Sequence, residues 1–481
     1  MEAAFRTSKR PRGCVALAAL VAALALAQAA PAAEVGVVGD ITWGQPRSDV
    51  DREIELLEAA GVKWIRANAN WAGLEPDQKG TINTWLLDEY DYAIDRARAA
   101  GMQVLMPISD GVPYWASADP AKYVDGSGKR RYQVTYRPAK ASDYGDIVRF
   151  VVEHFSARGV HAYQIWNEPN HGRFWPSGPN AGEYVPMLRA GYEAVKAVDP
   201  GATVVLGGLS KSDFYYLEDV YRAGGGPYFD AVAVHPYTFG VDPTVAWNGV
   251  QAWEDKKRIS INAFPAIQEI KRSMDAFGDS HKKVWLTEFG YSTTTRDGGV
   301  SAQTQAEFLT KAYHYVEQFP WLETLFWYAA RNSPFYEDED TYEGRFGLTA
   351  TDFTPKPSYA ALKAYAKGPG MQAKRKVRLA KAGQRLLRAG EPRARVVLRG
   401  RVVLGEDAWR VAAAARQARR AVVIQRRTPR GWVRVKRVTT GTDGAFRARV
   451  VARGDTVRYR AVARYDDLRV SSRVVRVTIR R

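Results

Sequence analysis

Two glutamates stand out by the company they keep. Glu168 lies in Gln164-Ile165-Trp166-Asn167-Glu168-Pro169-Asn170, and Glu288 lies 120 residues later in Val284-Trp285-Leu286-Thr287-Glu288-Phe289-Gly290. Each ends an apolar, strand-like run and is followed within two residues by a breaker. If both reached one cleft, a protonated carboxyl could donate to a departing oxygen while an ionised one attacks the carbon it leaves. That is the apparatus of glycosidic bond cleavage. A separation of about 5–5.5 Å would mean retention through a covalent intermediate, and about 6.5–9.5 Å would mean inversion with a water between them. Either glutamate alone reads equally well as one end of a salt bridge, so the pair carries the information.

The elements around them decide whether they can meet. Eight short apolar or β-branched runs recur between residues 35 and 367, at 35–42, 62–67, 103–108, 162–166, 203–206, 231–234, 283–286 and 324–327. Helical patterns separate them: Leu86, Leu87, Tyr90, Ile94 and Ala97 repeat at helix spacing before Gly101, and 183–198 does so before Asp199-Pro200-Gly201. The alternation predicts an α/β protein, a (β/α)8 TIM barrel. A doubly wound open sheet would put a Gly-rich phosphate turn after its first strand, and Gly39-Asp40-Ile41-Thr42-Trp43-Gly44 is not one. In such a barrel Glu168 ends strand four and Glu288 strand seven, across the mouth from each other.

Trp166-Asn167-Glu168-Pro169-Asn170, with Phe174-Trp175 downstream and Thr287-Glu288-Phe289-Gly290 at the seventh strand, resembles clan A glycoside hydrolases over residues 35–367. The likeness is greatest to family 39, with cellulase-like family 5 next. The resemblance implies that Glu168 is the acid/base, that Glu288 is the nucleophile, and that the reaction retains configuration. Asn167 would bond the sugar 2-hydroxyl, while His235 and Tyr237, in the His-Pro-Tyr after strand six, would hold the nucleophile ionised and oriented. Trp327 would be the stacking floor, and Arg66 is similar to the clan's arginine beside the nucleophile. Trp71, Trp115, Trp175 and Tyr291 fall in expected βα loops and would line the subsites. One departure bears on family: a family 5 enzyme usually offers a His after strand three, where this chain reads Pro107-Ile108-Ser109-Asp110-Gly111-Val112-Pro113-Tyr114-Trp115.

Charge divides the chain. The whole carries +18, but residues 371–481 hold 32 Lys+Arg against 7 Asp+Glu, a net +25, which leaves the rest at −7. The texture changes at Lys367-Gly368-Pro369-Gly370. We expect a catalytic domain at 34–367, a basic linker at 368–378, and an Arg-rich all-β sandwich at 379–481 with six or seven short strands. The natural counterpart of such a tail is an anionic wall or extracellular polymer. Nucleic acid is the weaker candidate, because aromatic stacking partners are few.

The N-terminus has Arg6, Lys9, Arg10 and Arg12, a small-apolar run at 15–27 and Ala-Pro-Ala-Ala at 30–33. This predicts a signal peptide at 1–33 and a secreted or wall-associated protein. The run is short for a membrane span, so no transmembrane segment is expected after cleavage. Cys14, the sole cysteine, would leave with it. The 6 His show no HExxH-like spacing, so no metal or other cofactor is expected. The acidic run Glu337-Asp338-Glu339-Asp340 reads as a solvated loop before it reads as a Ca²⁺ site. The expected substrate is a poly- or oligosaccharide and the expected state a monomer. A non-catalytic sugar-binding or wall-attachment protein and a transglycosylase are the rival functions.

Overall fold

A computed structural model describes residues 33–367, except 43, 110, 124–135 and 335–339, together with strand segments lying between 376 and 478. The expected signal peptide, up to residue 32, lies outside the described residues, as do 368–375 of the expected linker. No helix among the described residues is long and apolar enough to cross a membrane.

Eight parallel strands close into a barrel: β1 (Glu34–Val38), β2 (Trp64–Arg66), β3 (Gln103–Ser109), β4 (Ala162–Asn167), β5 (Thr203–Ser210), β6 (Ala231–His235), β7 (Lys283–Phe289) and β8 (Leu322–Trp327). Closure comes from β1, which pairs with β2 on one side and β8 on the other. Helices follow the strands: α1 (Arg47–Ala60), α2 (Thr84–Ala99), α3 (Ala141–Ser156), α4 (Ala181–Val198), α5 (Phe214–Arg222), α6 (Ile267–Ala276), α7 (Ala302–Val316) and α8 (Pro357–Lys367). The expected barrel is therefore the fold, with each strand within a few residues of its apolar run.

The strands read as apolar runs because both of their faces are buried. Inside the barrel, Val38, Trp64, Leu105, Val205, Trp285 and Phe326 form an inner cluster with small alanines. Trp64 and Trp285 meet edge to face at 5.0 Å, and such bulk demands small partners. A Cβ on Gly36 would stand 2.5 Å from the Phe326 ring. Outward-facing residues such as Ile65, Ile108, Ile165, Leu206, Val234 and Leu286 pack with Ile54, Ile94, Val148, Leu188, Leu217 and Leu309 from the helices. Each such side chain contributes about 1.5–3 kcal/mol by leaving water.

The strand-to-helix loops are fixed where the helices begin. Asn83, Asn180, Asp213 and Ser301 each accept a backbone N–H from the first turn of α2, α4, α5 and α7 respectively. These caps stand at the C-terminal rim of the barrel, where the functional loops gather.

Beyond residue 376 the strands are antiparallel: β9 (Lys376–Leu386), β10 (Arg393–Val403), β11 (Ala421–Thr428), β12 (Gly431–Thr439), β13 (Ala445–Arg453), β14 (Thr456–Tyr465), β15 (Leu468–Ser471) and β16 (Val475–Thr478). One sheet runs β9-β10-β13, and the other runs β12-β11-β14-β15 with β16 also on β14. Leu398, Phe446, Ala448 and Val450 from the first sheet, and Val422, Ile424, Tyr459 and Ala461 from the second, are buried. The expected small all-β unit is present, with two differences. A strand begins at Lys376, inside the stretch read as linker, and the run read as one strand at 469–479 is two.

Candidate active site

Glu168 is mounted on a distorted strand end. Pairing between β4 and β5 runs Ile165 to Leu206 and then Asn167 to Gly208, and Trp166 between them takes φ +73 while Glu168 takes φ +43. Left-handed conformations of non-glycine residues cost about 1–3 kcal/mol each and persist only where the surroundings impose them. Here two tyrosines impose them. Tyr144 Oη donates to Ile108 O at 2.7 Å and accepts Trp166 N at 3.1 Å. Tyr184 Oη donates to Ile165 O at 2.8 Å and accepts Gly207 N at 2.9 Å. The Glu168 amide then donates to Gly208 O at 3.0 Å, and Asn170 ties the following loop to Ser210 and Asp213.

Glu288 sits near the end of β7, between two donors. Arg66 Nη1, on a side chain 2% exposed, is 2.9 Å from Glu288 Oε1, and Tyr237 Oη donates to Oε2 at 3.0 Å. Burial first, then the charges of Glu288 and Glu168 and the neighbouring Tyr328, push the Tyr237 hydroxyl well above its ordinary pKa. It therefore stays a donor. Arg66 Nη2 also donates to Asn167 Oδ1 at 2.9 Å. That bond fixes the Asn167 amide and sets its Nδ2 as the end that can donate to a hydroxyl.

His235 is fully buried between the two carboxylates. Its Nδ1 is 2.8 Å from Glu168 Oε1 and 3.6 Å from Glu288 Oε2, and its Nε2 is 3.0 Å from Thr287 Oγ1. Both His235 and Tyr237 are expected at Glu288. Tyr237 is there, whereas the hydrogen bond of His235 goes to Glu168. Room for the ring comes from Gly208, where a Cβ would stand 2.1 Å from His235 Nε2.

One donor atom from each of Glu168, His235 and Glu288 lies within 4.8 Å of the others, a spacing that a metal could also use. The guanidinium held against Glu288 already supplies a positive charge there and opposes a second cation. The acidic run expected after strand eight is described only at Asp340. Its carboxylate accepts from Thr294 and Thr295 and pairs with Arg345 at 3.0 Å.

The aromatic expectations divide. Trp327 is fully buried and packs edge-on against Phe289 at 6.1 Å in the layer between barrel and helices, so it is not the cleft floor. Strand alternation explains why: Phe326 faces the interior, Trp327 faces out, and Tyr328 faces in again. Tyr328 stands 6.3 Å from the Tyr237 ring and takes the place expected of Trp327. Trp175, Tyr291 and Trp71 are core residues, each 1% exposed or less. The Trp175 indole donates to Glu183, and Tyr291 Oη bonds Thr238 and Val241. Trp115 is half-buried, its indole donating to Glu75 O at 2.9 Å.

Three contributors went unread in the sequence: Thr287, Tyr328 and Asp40. Asp40 follows β1 at the barrel mouth, and its amide donates to the buried Glu53 carboxylate at 3.0 Å. Burial pushes Asp40 up to about 6 against the pull of Arg331, and burial and then the charge of Asp40 push Glu53 up to about 8. The Asp40 charge also helps hold Tyr328 in its neutral form, after burial and Glu288. Beside the site, a groove of about 750 Å³ is lined by Phe239, Arg296, Tyr342 and Glu343 from the loops after β6, β7 and β8. Phe239 is 52% exposed there, its ring 5.6 Å from Tyr342. A second cavity, of about 480 Å³, lies at the opposite end of the barrel beneath Trp64 and Trp285, away from the carboxylates.

A closed (β/α)8 barrel with paired carboxylates on its fourth and seventh strands defines the glycoside hydrolase class. Residues 27–332 match the family model described as Cellulase (glycosyl hydrolase family 5), more than half of the chain, and the protein belongs to that family. The rice protein Beta-glucosidase-like SFR2, chloroplastic (Oryza sativa subsp. japonica) is 33% identical over 148 residues, 28% of this chain and 21% of that one, so the chain spans about a fifth of this relative's length. Among solved structures, a family 39 glycoside hydrolase from Bacteroides cellulosilyticus WH2 superposes with a TM-score of 0.54 at 18% identity, over 87% of this chain and 80% of that one. A monomeric beta-xylosidase from Caulobacter crescentus CB15 gives 0.51 at 16%, over 88% and 94%. At these identities the likeness is one of fold.

Proposed function

We propose that the protein is an exported retaining glycosidase that hydrolyses O-glycosidic bonds of a poly- or oligosaccharide by double displacement. One observation carries the stereochemistry. One carboxylate oxygen of Glu168 and one of Glu288 lie within 4.8 Å of each other, which favours the short separation of about 5–5.5 Å used for retention over the longer one that admits a water. In the first step Glu288 attacks the anomeric carbon while Glu168 gives its proton to the leaving oxygen. In the second, Glu168 takes a proton from water, which displaces Glu288. Arg66 and Tyr237 keep the Glu288 carboxylate oriented, and His235 sets the rotamer of Glu168. Export rests on the signal-like N-terminus, and the chain's own family match is to family 5, not to the family 39 expected from the run 166–170.

The test is the configuration of the first-formed product. The protein is assayed against arabinans, xylans, galactans and aryl glycosides, and the fresh hemiacetal is followed by proton NMR before it mutarotates. We expect the substrate's own anomer, and the opposite anomer would refute double displacement.

Gly208→Ala should depress kcat about 10²-fold by pushing the His235 ring and, through it, the Glu168 carboxyl out of line. The melting temperature should change far less than the rate. An unchanged kcat in steady-state assays would mean that the ring position does not matter.

A further inference from the structure

The eight strands beyond residue 376 contain no Asp or Glu; all seven acidic residues of 371–481 fall between them. Strand register decides where the arginines go. On β14, Val457, Tyr459 and Ala461 are buried, whereas Arg458 is exposed and Arg460 half-buried. Across the sheet Arg460 stands opposite Gln425 and Val462 opposite Val423. Those two residues stand in turn opposite Arg434 and Arg437 on β12, and Arg427 stands opposite Trp432. Arg434 and Arg437 are three apart and would ordinarily point to opposite faces. A one-residue shift in the pairing between Ile424 and Gln425 puts both on the same face. The side-chain contacts agree: Arg460 lies over the Trp432 ring at 4.5 Å and donates to Gln425 Oε1 at 2.8 Å, and Arg427 lies 5.7 Å from the same ring. On β11 and β14 the other face is the buried one, where Tyr459 Oη reaches Val451 O of the first sheet at 3.4 Å, while on β12 that face is open at Val433 and Lys436.

Arg427, Arg434, Arg437, Arg458 and Arg460 thus share one face of the sheet with the Trp432 indole, which Arg427 and Arg460 flank, and no carboxylate lies on these strands. We propose that this face docks a linear polysaccharide whose sugar units carry carboxylates, a uronic-acid-type chain. Guanidinium forks match carboxylates in pairs. An indole flanked by guanidiniums suits a unit that has its ring and its charge on one residue. A nucleic-acid strand would be better served by a row of aromatic platforms, one for each successive base. Held beside a glycoside hydrolase barrel, such a face would raise the local concentration of an acidic glycan around the enzyme. The inference does not depend on the catalytic assignment, because its test reads binding and not turnover.

The full-length protein is titrated with polygalacturonate, with neutral dextran, with polyglutamate and with duplex DNA at several salt concentrations. We expect polygalacturonate to bind and dextran not to. The triple variant Arg434→Ser, Arg437→Ser, Arg458→Ser should weaken polygalacturonate at least about tenfold and flatten the salt dependence, with an unchanged circular dichroism spectrum. Trp432→Ala should weaken polygalacturonate more than polyglutamate, which has the charges without the rings. Binding undiminished in the triple variant would overturn the proposal, as would tighter binding of DNA at equal ionic strength. An equal effect of Trp432→Ala on both polyanions would reduce the face to one that senses charge alone.

Discussion

Glu288→Ala should lower turnover of every substrate at least about ten-thousandfold, because the proposed double displacement loses the group that forms its covalent intermediate. The prediction carries a structural complication. Glu288 balances Arg66, which is 2% exposed and otherwise bonded to Asn167, and a buried guanidinium stripped of its carboxylate destabilises the fold. Glu288→Gln is therefore the companion variant. It keeps an oxygen to accept from Arg66, offers an amide N–H that the Tyr237 hydroxyl can accept, and removes the nucleophile. Both variants should be inactive while the glutamine one melts closer to the parent. Added azide should restore cleavage of activated aryl glycosides by attacking directly, giving a glycosyl azide of inverted configuration. In the parent, a 2-fluoro glycoside should label Glu288 covalently. A label on any other residue would remove Glu288 from the role.

Glu168→Ala should produce a different pattern of loss. A general acid matters in proportion to how badly the leaving group needs a proton, and such catalysis is worth about 10²–10⁴-fold. Sugars with unactivated leaving groups should lose the upper end of that range. Dinitrophenyl glycosides should form the intermediate at nearly the parental rate and stall at its hydrolysis, visible as a burst of dinitrophenolate. Azide should relieve the stall, here with retained configuration, because it attacks the glycosyl-enzyme. The contrast in product anomer between the two variants distinguishes the two carboxylates more sharply than either rate alone. A loss equal for good and poor leaving groups, with no burst, would count against Glu168 as the acid/base.

The barrel was legible because a strand buried on both faces is a run of apolar residues, and counting the runs put Glu168 on the fourth and Glu288 on the seventh. What the sequence left open depends on angles. Whether Trp327 or Tyr328 faces the cleft is a matter of strand parity at the end of β8. The run to Trp327 was visible, but its phase was not. His235 lies between two carboxylates, and a ring rotation separates a contact of 2.8 Å from one of 3.6 Å. Trp175 and Tyr291 follow rim motifs in the sequence, yet loop and helix packing folds them inward. Asp40 was invisible for want of a motif, since its setting is made by Glu53 on α1 and Arg331 after β8. The start of β9 lies in the expected linker because the breakers Gly368-Pro369-Gly370 and the basic run Lys374-Arg375-Lys376 just ahead of it read as a connection and not as a strand.

The left-handed backbone at Trp166 and Glu168 has a practical meaning for anyone who wants a hardier version of this protein. Glycine at 166 would relieve its strain at once. It would also discard an indole that is 1% exposed and bonded to Phe174 O, freeing the loop that aims the acid/base. Losing that buried indole costs about 3–5 kcal/mol, more than the strain recovered, so stability and rate both favour keeping the strained backbone. The helices of the outer ring are the better place for hardening, apart from Tyr144 on α3 and Tyr184 on α4, which hold that backbone.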